Sequence, residues 1–249
     1  MLARGYRDLI AALERVSGKT ITVDSLKAGI ETVNNKRAAM HRLAKLRHAN
    51  PAPISGLDAL LANQVFFYDD PERFTTSVNA LCDELERRIE TKTGVMAETT
   101  PRIVISGCPM AVPNWKLPAI VENAGAVVVG EESCIGERGT QNLVSTDGES
   151  VDALIENLVD RYFAIDCAVF TPNQTRAEHA LQIAEDAKAD GVIHYALQFC
   201  SPYQMEAPLL ERHVEGGGLP VLRIDTDYSH EDVGQLRTRV EAFIEQIRS

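Results

Sequence analysis

Four short apolar runs limit what this chain can fold into. "RIVIS" (102–106), "AVVVG" (126–130), "GVIHYAL" (191–197) and "PVLRID" (220–225) are rich in β-branched residues and nearly free of polar ones. A strand with one face in water alternates polar and apolar residues, whereas a strand covered on both faces stays apolar throughout. Helical patterns separate or follow these runs: "NWKLPAIVENAG", "SVDALIENLVDRYF", "QTRAEHALQIAEDAKAD", "APLLERHVE" and the closing "VGQLRTRVEAFIEQI". Strands alternating with helices predict a parallel sheet covered on both faces. The expected fold class is therefore α/β, a Rossmann-like, doubly wound parallel sheet of about four strands over residues 98–249.

Residues 1–97 carry no comparable run and read as a helical segment. "MLARGYRDLIAALERV" is amphipathic. In "TITVDSLKAGIETVNNKRAAMHRLAKL" the positions Leu26, Ile30, Val33, Met40 and Leu43 keep a helical spacing, with Thr22 or Asp24 available as the N-cap. "NPAP" (50–53) punctuates that helix. "SGLDALLANQVFFYDDPERFTTSVNALCDELERRIETK" then supplies two more helices, broken near Asp69–Pro71.

Composition excludes several function classes. The formal net charge is −11 and no Lys/Arg run is present, which argues against a nucleic-acid partner. No apolar run is long enough to span a bilayer, so no membrane association is expected. Asp8 and Glu14 spoil a transit peptide and there is no apolar signal core, so the expected location is cytoplasmic. The five cysteines are odd in number and widely spaced, unlike a secreted disulfide framework, and read as reduced thiols or metal ligands. There is no G-x-x-x-x-G-K-[ST], and the first strand runs into "SGCPM" rather than G-x-G-x-x-G, so neither ATP hydrolysis nor a dinucleotide fingerprint is indicated.

The positions of three cysteines carry the chemistry. Cys108 follows the first strand, Cys134 the second in "GEESCIGERG", and Cys200 the third in "HYALQFCSPYQ". An open α/β sheet binds its ligand at the carboxyl ends of its strands, so the three thiols should converge there. Soft sulfur donors suit an iron–sulfur cluster. Zinc is a rival, although a structural zinc site wants four ligands and no C-x-x-C pair is present. The plain alternative is that each Cys fills apolar space. A Cys–His nucleophile would need His194, which falls inside the strand pattern and reads as a core or surface histidine. Asp225 and Asp227 border the same edge, as acid/base groups or as turn and cap residues. Glu131 and Glu132 precede Cys134, and Arg138 follows it, either to offset cluster charge or as a surface ion-pair residue. Cys82, Cys167 and Trp115 read as structural, and "VEGGGLP" as a helix stop.

Several stretches together suggest a family. "SGCPMAVPNWKLPAIVENAGAVVVGEESCIGERG", "FTPNQTR", "HYALQFCSPYQMEAPLL" and "PVLRIDTDYSHEDVGQLRTRVEAFIE" resemble, in the same order, the C-terminal part of the 2-hydroxyglutaryl-CoA dehydratase D-component and benzoyl-CoA reductase family. "GCPM" and "EESC" resemble its double-cubane cluster protein branch. The resemblance implies an iron–sulfur cluster, a four-iron cubane or part of a double cubane, ligated by Cys108, Cys134 and Cys200. It implies electrons from an ATP-hydrolysing activator protein and assembly as a homo- or hetero-dimer. It also implies a role in a low-potential reductase system or in a 2-hydroxyacyl-CoA dehydratase, as one of its subunits. Members of the family carry another α/β domain ahead of the helical linker, which these residues do not. That leaves a fragment, a split-gene product or a degenerate, cluster-free binding module as readings.

Overall fold

The computed structural model describes residues 1–170 and 172–249. Thr171, within "FTPNQTR", lies outside the described residues. Helices α1 (Leu2–Ser17), α2 (Val23–Arg47), α3 (Gly56–Val65) and α4 (Pro71–Glu90) lead the chain. Each start of α2–α4 is written in its sequence. Thr22 and Ser25 exchange side-chain and backbone hydrogen bonds in a capping box, Ser55 caps α3, and Asp70 with Pro71 opens α4. Met40, Leu43, Ala59, Phe74, Val78, Cys82 and Leu85 pack together as the core of this part. Cys82 is fully buried there, and burial pushes its thiol up to about 11.

Strands β1 (Arg102–Gly107), β2 (Val127–Glu132), β3 (Gly191–Leu197) and β4 (Val221–Thr226) form an all-parallel sheet in the order β2-β1-β3-β4. All four lie on the expected runs. Their connections are α5 (Lys116–Asn123) between β1 and β2, then α6 (Glu137–Thr140), α7 (Val151–Phe163) and α8 (Gln174–Asp186) before β3. Helix α9 (Ser201–Gly216) joins β3 to β4, and α10 (Val233–Arg248) closes the fold. The turn of α6 is not visible in the sequence, since its four residues are too few to show a period.

Side chains alternate across the sheet, so a continuous apolar run serves two cores at once. Ile103, Ile105, Val128, Ile193 and Tyr195 meet Leu117 and Val121 of α5 and Val240 and Phe243 of α10. Val104, Val127, Val129 and Val192 meet Ala180 and Ala184 of α8 and Leu210 and Val214 of α9. The fold is thus the doubly wound α/β class that the alternation predicted. Helix α3 also reaches the sheet: Leu60 joins the core of Ile105, Cys108 and Met110.

Candidate functional site

The strand order reverses direction between β1 and β3. The chain goes outward from β1 to β2, then returns past β1 to place β3 on the other side. Loops leaving the carboxyl ends of β1 and β3 must diverge at this point, which opens a crevice in a doubly wound sheet. Cys108 stands just beyond β1 and Cys200 just beyond β3, on either side of that crevice.

The backbone forces Cys108 into place. Gly107 ends β1 with φ 142°, and a Cβ there would lie 1.9 Å from the Tyr195 carbonyl oxygen. Only glycine meets that close approach. The Cys108 N–H then donates to the same carbonyl at 2.9 Å, and the Leu197 N–H donates to Cys108 Sγ at 3.4 Å. The following "PMAVPN" turn is braced from two sides: Gln64 of α3 donates to the Met110 carbonyl at 2.7 Å, and Asn114 donates to the buried Tyr195 hydroxyl at 2.5 Å. Cys108 is 2% exposed, and burial pushes its thiol up to about 12.

Cys200 is the N-cap residue of α9 and half-buried. Its N–H donates to the Leu197 carbonyl at 3.0 Å. The turn between them places Phe199 in the left-handed region, φ 68°, with its ring almost wholly exposed. Strain of this kind, on the order of 1–3 kcal/mol, persists where surrounding contacts enforce it. Leu197 thus ties the two cysteines side by side, its N–H on the Cys108 sulfur and its carbonyl on the Cys200 N–H, and Cys200 packs on the core that contains Cys108.

Cys134 lies beyond β2, the strand on the far side of β1, in the neighbourhood of Arg138 and Tyr203. A Cβ on Gly139 would come within 1.9 Å of the Cys134 carbonyl oxygen, so the "SCIGERG" turn closes tightly around it. The structure therefore brings Cys108 and Cys200 together and sets Cys134 one strand away. Among the described residues, no three His, Cys, Asp or Glu side chains gather as a single metal ion would require. A cluster asks for a different layout, one thiolate on each of several irons, and for sulfur donors. Three cysteines at neighbouring strand ends suit that demand in the kind of donor they offer.

Beside the thiols, on the α8/α9 face, sits a buried charge network. Arg138 Nε lies 2.6 Å from Glu132 Oε1, and Arg176 lies 3.4 Å from Glu132 Oε2 and 2.9 Å from Glu206 Oε2. Ser106 donates to Glu132 at 2.6 Å. Arg138 also donates to the Tyr203 hydroxyl at 3.0 Å, the Asp166 carbonyl at 3.0 Å and the Gly107 carbonyl at 3.1 Å, next to Cys108. Burial opposes the Arg138 charge most strongly of any single influence, but its neighbours, the Glu132 carboxylate foremost and the Tyr203 hydroxyl with it, together outweigh burial and hold the guanidinium above its ordinary value. This corrects the surface ion-pair alternative for Arg138, which is 2% exposed. His194 is buried under the same network, and desolvation with Arg176 nearby lowers it to about 4.

Residues 1–247 match the family described as 2-hydroxyglutaryl-CoA dehydratase, D-component. The chain belongs to this family. It is 35% identical over 237 residues to YjiM of Escherichia coli (strain K12), provisionally named a dehydratase subunit, covering 94% of this chain and 60% of that protein. It is 27% identical to the (R)-phenyllactyl-CoA dehydratase beta subunit of Clostridium sporogenes, over 97% of this chain and 62% of that one. It is 26% identical to the beta subunit of (R)-2-hydroxyglutaryl-CoA dehydratase from Acidaminococcus fermentans, over 97% and 62%. The chain thus spans about three fifths of the length of these relatives.

Other expected site residues of this family member fall outside the thiol pair. Asp225 accepts from Gln204 at 3.2 Å, and Asp227 accepts from the Ser229 N–H at 2.8 Å, a turn residue. What the sequence did not reveal at this edge is Lys116, whose buried ammonium donates to Asp232 at 2.7 Å, Thr226 at 2.5 Å and the carbonyls of Asp227 and Ser229. Nor did it reveal Arg176, Tyr203 and Glu206, although all lie in stretches that carried the family resemblance. A helical Arg or Glu reads as solvent-facing until its neighbour in space is known. Cys167 is half-buried, and its carbonyl accepts from Asn173 at 3.0 Å. No helix of the described residues is long and apolar enough to cross a membrane.

Proposed function

We propose that this chain is an iron–sulfur-binding component of a dehydratase or reductase system, with Cys108, Cys134 and Cys200 as the ligands. The observation that carries the reading is the pairing of Cys108 with Cys200 across the β1/β3 crevice, with Cys134 on the adjoining strand end. The cluster is a four-iron cubane or a share of a double cubane. When bound, such a cluster supplies one-electron transfer at a potential set by its ligands and surroundings. The chain's own residues supply those surroundings: Gly107 and Leu197 hold Cys108, the Leu197 carbonyl anchors the Cys200 N–H, and the Arg138 guanidinium donates to the Gly107 carbonyl next to Cys108. Electrons come from an ATP-hydrolysing activator protein, and the working assembly is a homo- or hetero-dimer.

A 2-hydroxyacyl-CoA dehydratase component is the version favoured by relatives named as dehydratase subunits. Electron paramagnetic resonance of the chain, reconstituted with iron and sulfide without oxygen and reduced with dithionite, tests the shared part. The reading predicts a cluster signal in the parent that is lost or altered in Cys108→Ser, Cys134→Ser and Cys200→Ser. Absence of any signal and of bound iron would leave the cluster-free module as the better account. Retention of a 2-hydroxyacyl-CoA by the reconstituted chain in isothermal titration would favour the dehydratase version.

A further inference from the structure

The two facing thiols have a second chemistry open to them. Leu197 grips both cysteines, its N–H on Cys108 Sγ at 3.4 Å and its carbonyl on the Cys200 N–H at 3.0 Å. They sit on strands that pair directly, β1 with β3, and Cys200 packs on the core that contains Cys108. Their exposure differs: Cys108 is 2% exposed, whereas Cys200 is half-buried at the open end of a strained turn. An accessible thiol beside a buried one is the arrangement of an attacking and a resolving cysteine.

We propose that Cys108 and Cys200 form a reversible disulfide when the protein is free of iron, which makes this pair a thiol-modification site. With a low-molecular-weight disulfide as oxidant, the Cys200 thiolate attacks one sulfur, the oxidant's S–S bond breaks, and one thiol leaves carrying the Cys200 proton. Cys108 then attacks the Cys200 sulfur of the mixed disulfide, a second thiol leaves with the Cys108 proton, and the Cys108–Cys200 bond forms. Two protein thiols are oxidised and one oxidant disulfide is reduced to two thiols. Cys134 and Cys82 take no part, the first because it lies beyond β1 on the far side, the second because it is buried in the helical core. The inference stands without a cluster. Its consequence, that oxidation blocks cluster loading because the same sulfur atoms are consumed, rests on the proposed function.

The test uses the full chain freed of iron by a chelator, treated with oxidised glutathione, then denatured, alkylated and mapped by mass spectrometry. Of the five cysteines, two should escape alkylation, in a single cross-linked peptide pair joining Cys108 to Cys200, and dithiothreitol should restore both. Cys108→Ser should stop at a mixed glutathione disulfide on Cys200. A stable glutathione adduct on Cys200 in the parent, a link to Cys134 or Cys167, or no reaction would each overturn the proposal. Iron content after anaerobic reconstitution is read separately, so disulfide formation without iron binding would refute the cluster reading alone.

Discussion

The two ends of the sheet use buried arginine in opposite ways. At the amino end, Arg102 of β1 donates to the carbonyls of Ala187, Ala49 and His48 at 2.9–3.1 Å, joining the sheet to the end of α2. Backbone dipoles only partly compensate its charge, and burial pulls the guanidinium below its ordinary value. At the carboxyl end, Arg138 and Arg176 face the carboxylates of Glu132 and Glu206. There the neighbours of Arg138, Glu132 foremost, together overcome burial and lift its guanidinium. The first arrangement closes a structure. The second builds matched charge, a tyrosine hydroxyl and thiols into one place, which is costly to assemble and is characteristic of sites.

Substitutions at the two ends should therefore differ in size. The largest loss is expected for Gly107→Ala, where a Cβ meets the Tyr195 backbone at 1.9 Å. A loss of about 4 kcal/mol or more in denaturant unfolding is predicted. Gly191→Ala at the amino end of β3 meets side chains instead, Phe243 at 2.8 Å and Ile247 at 2.9 Å, and should cost about 1–3 kcal/mol. An equal cost at both positions would break the contrast.

Next come the ion pairs. Arg138→Gln or Glu132→Gln alone strands a buried charge and should cost about 3–5 kcal/mol, with the double variant losing less than the sum. Arg102→Gln should cost about 1–3 kcal/mol, because it leaves carbonyls rather than a carboxylate unpaired. Additive losses at Arg138 and Glu132 would show that the network does not act as a unit.

The smallest effect lies in pH. His194 in the fold is lowered to about 4 from 6.5, so the unfolded chain binds its proton first on acidification. Its contribution is complete above pH 6.5 and is lost as pH falls toward 4. Glu137, raised by burial to about 7, acts in the opposite sense, losing stability as pH rises from 4.5 toward 7. Unfolding curves of His194→Asn and Glu137→Gln against the parent should thus diverge with opposite slopes near about pH 5–6. Parallel curves would show that neither group is held as described.

Why the fold was legible follows from the strands. Runs such as "GVIHYAL" can satisfy both faces only inside a covered parallel sheet, and the candidate cap Thr22 marks the start of α2 locally. The edge carrying the cysteines was legible because Cys108, Cys134 and Cys200 each follow a strand. Which two would face each other was not, since that depends on strand order: β3 returning beside β1 pairs Cys108 with Cys200 and leaves Cys134 across β1. The charge network was also hidden. Glu132, Arg138, Arg176 and Glu206 come from four separate elements, and nothing in their local sequence records that they share one buried space.

The carboxyl end of the sheet, on the reading proposed above, is a sulfur-ligand site for iron. Iron and acid-labile sulfide per chain, measured after anaerobic reconstitution of the parent and of five single Cys→Ser variants, test it most directly. Bound iron is expected in the parent, with retention in Cys82→Ser and Cys167→Ser and loss in Cys108→Ser, Cys134→Ser and Cys200→Ser. Iron absent from the parent, or unchanged in those last three variants, would contradict it.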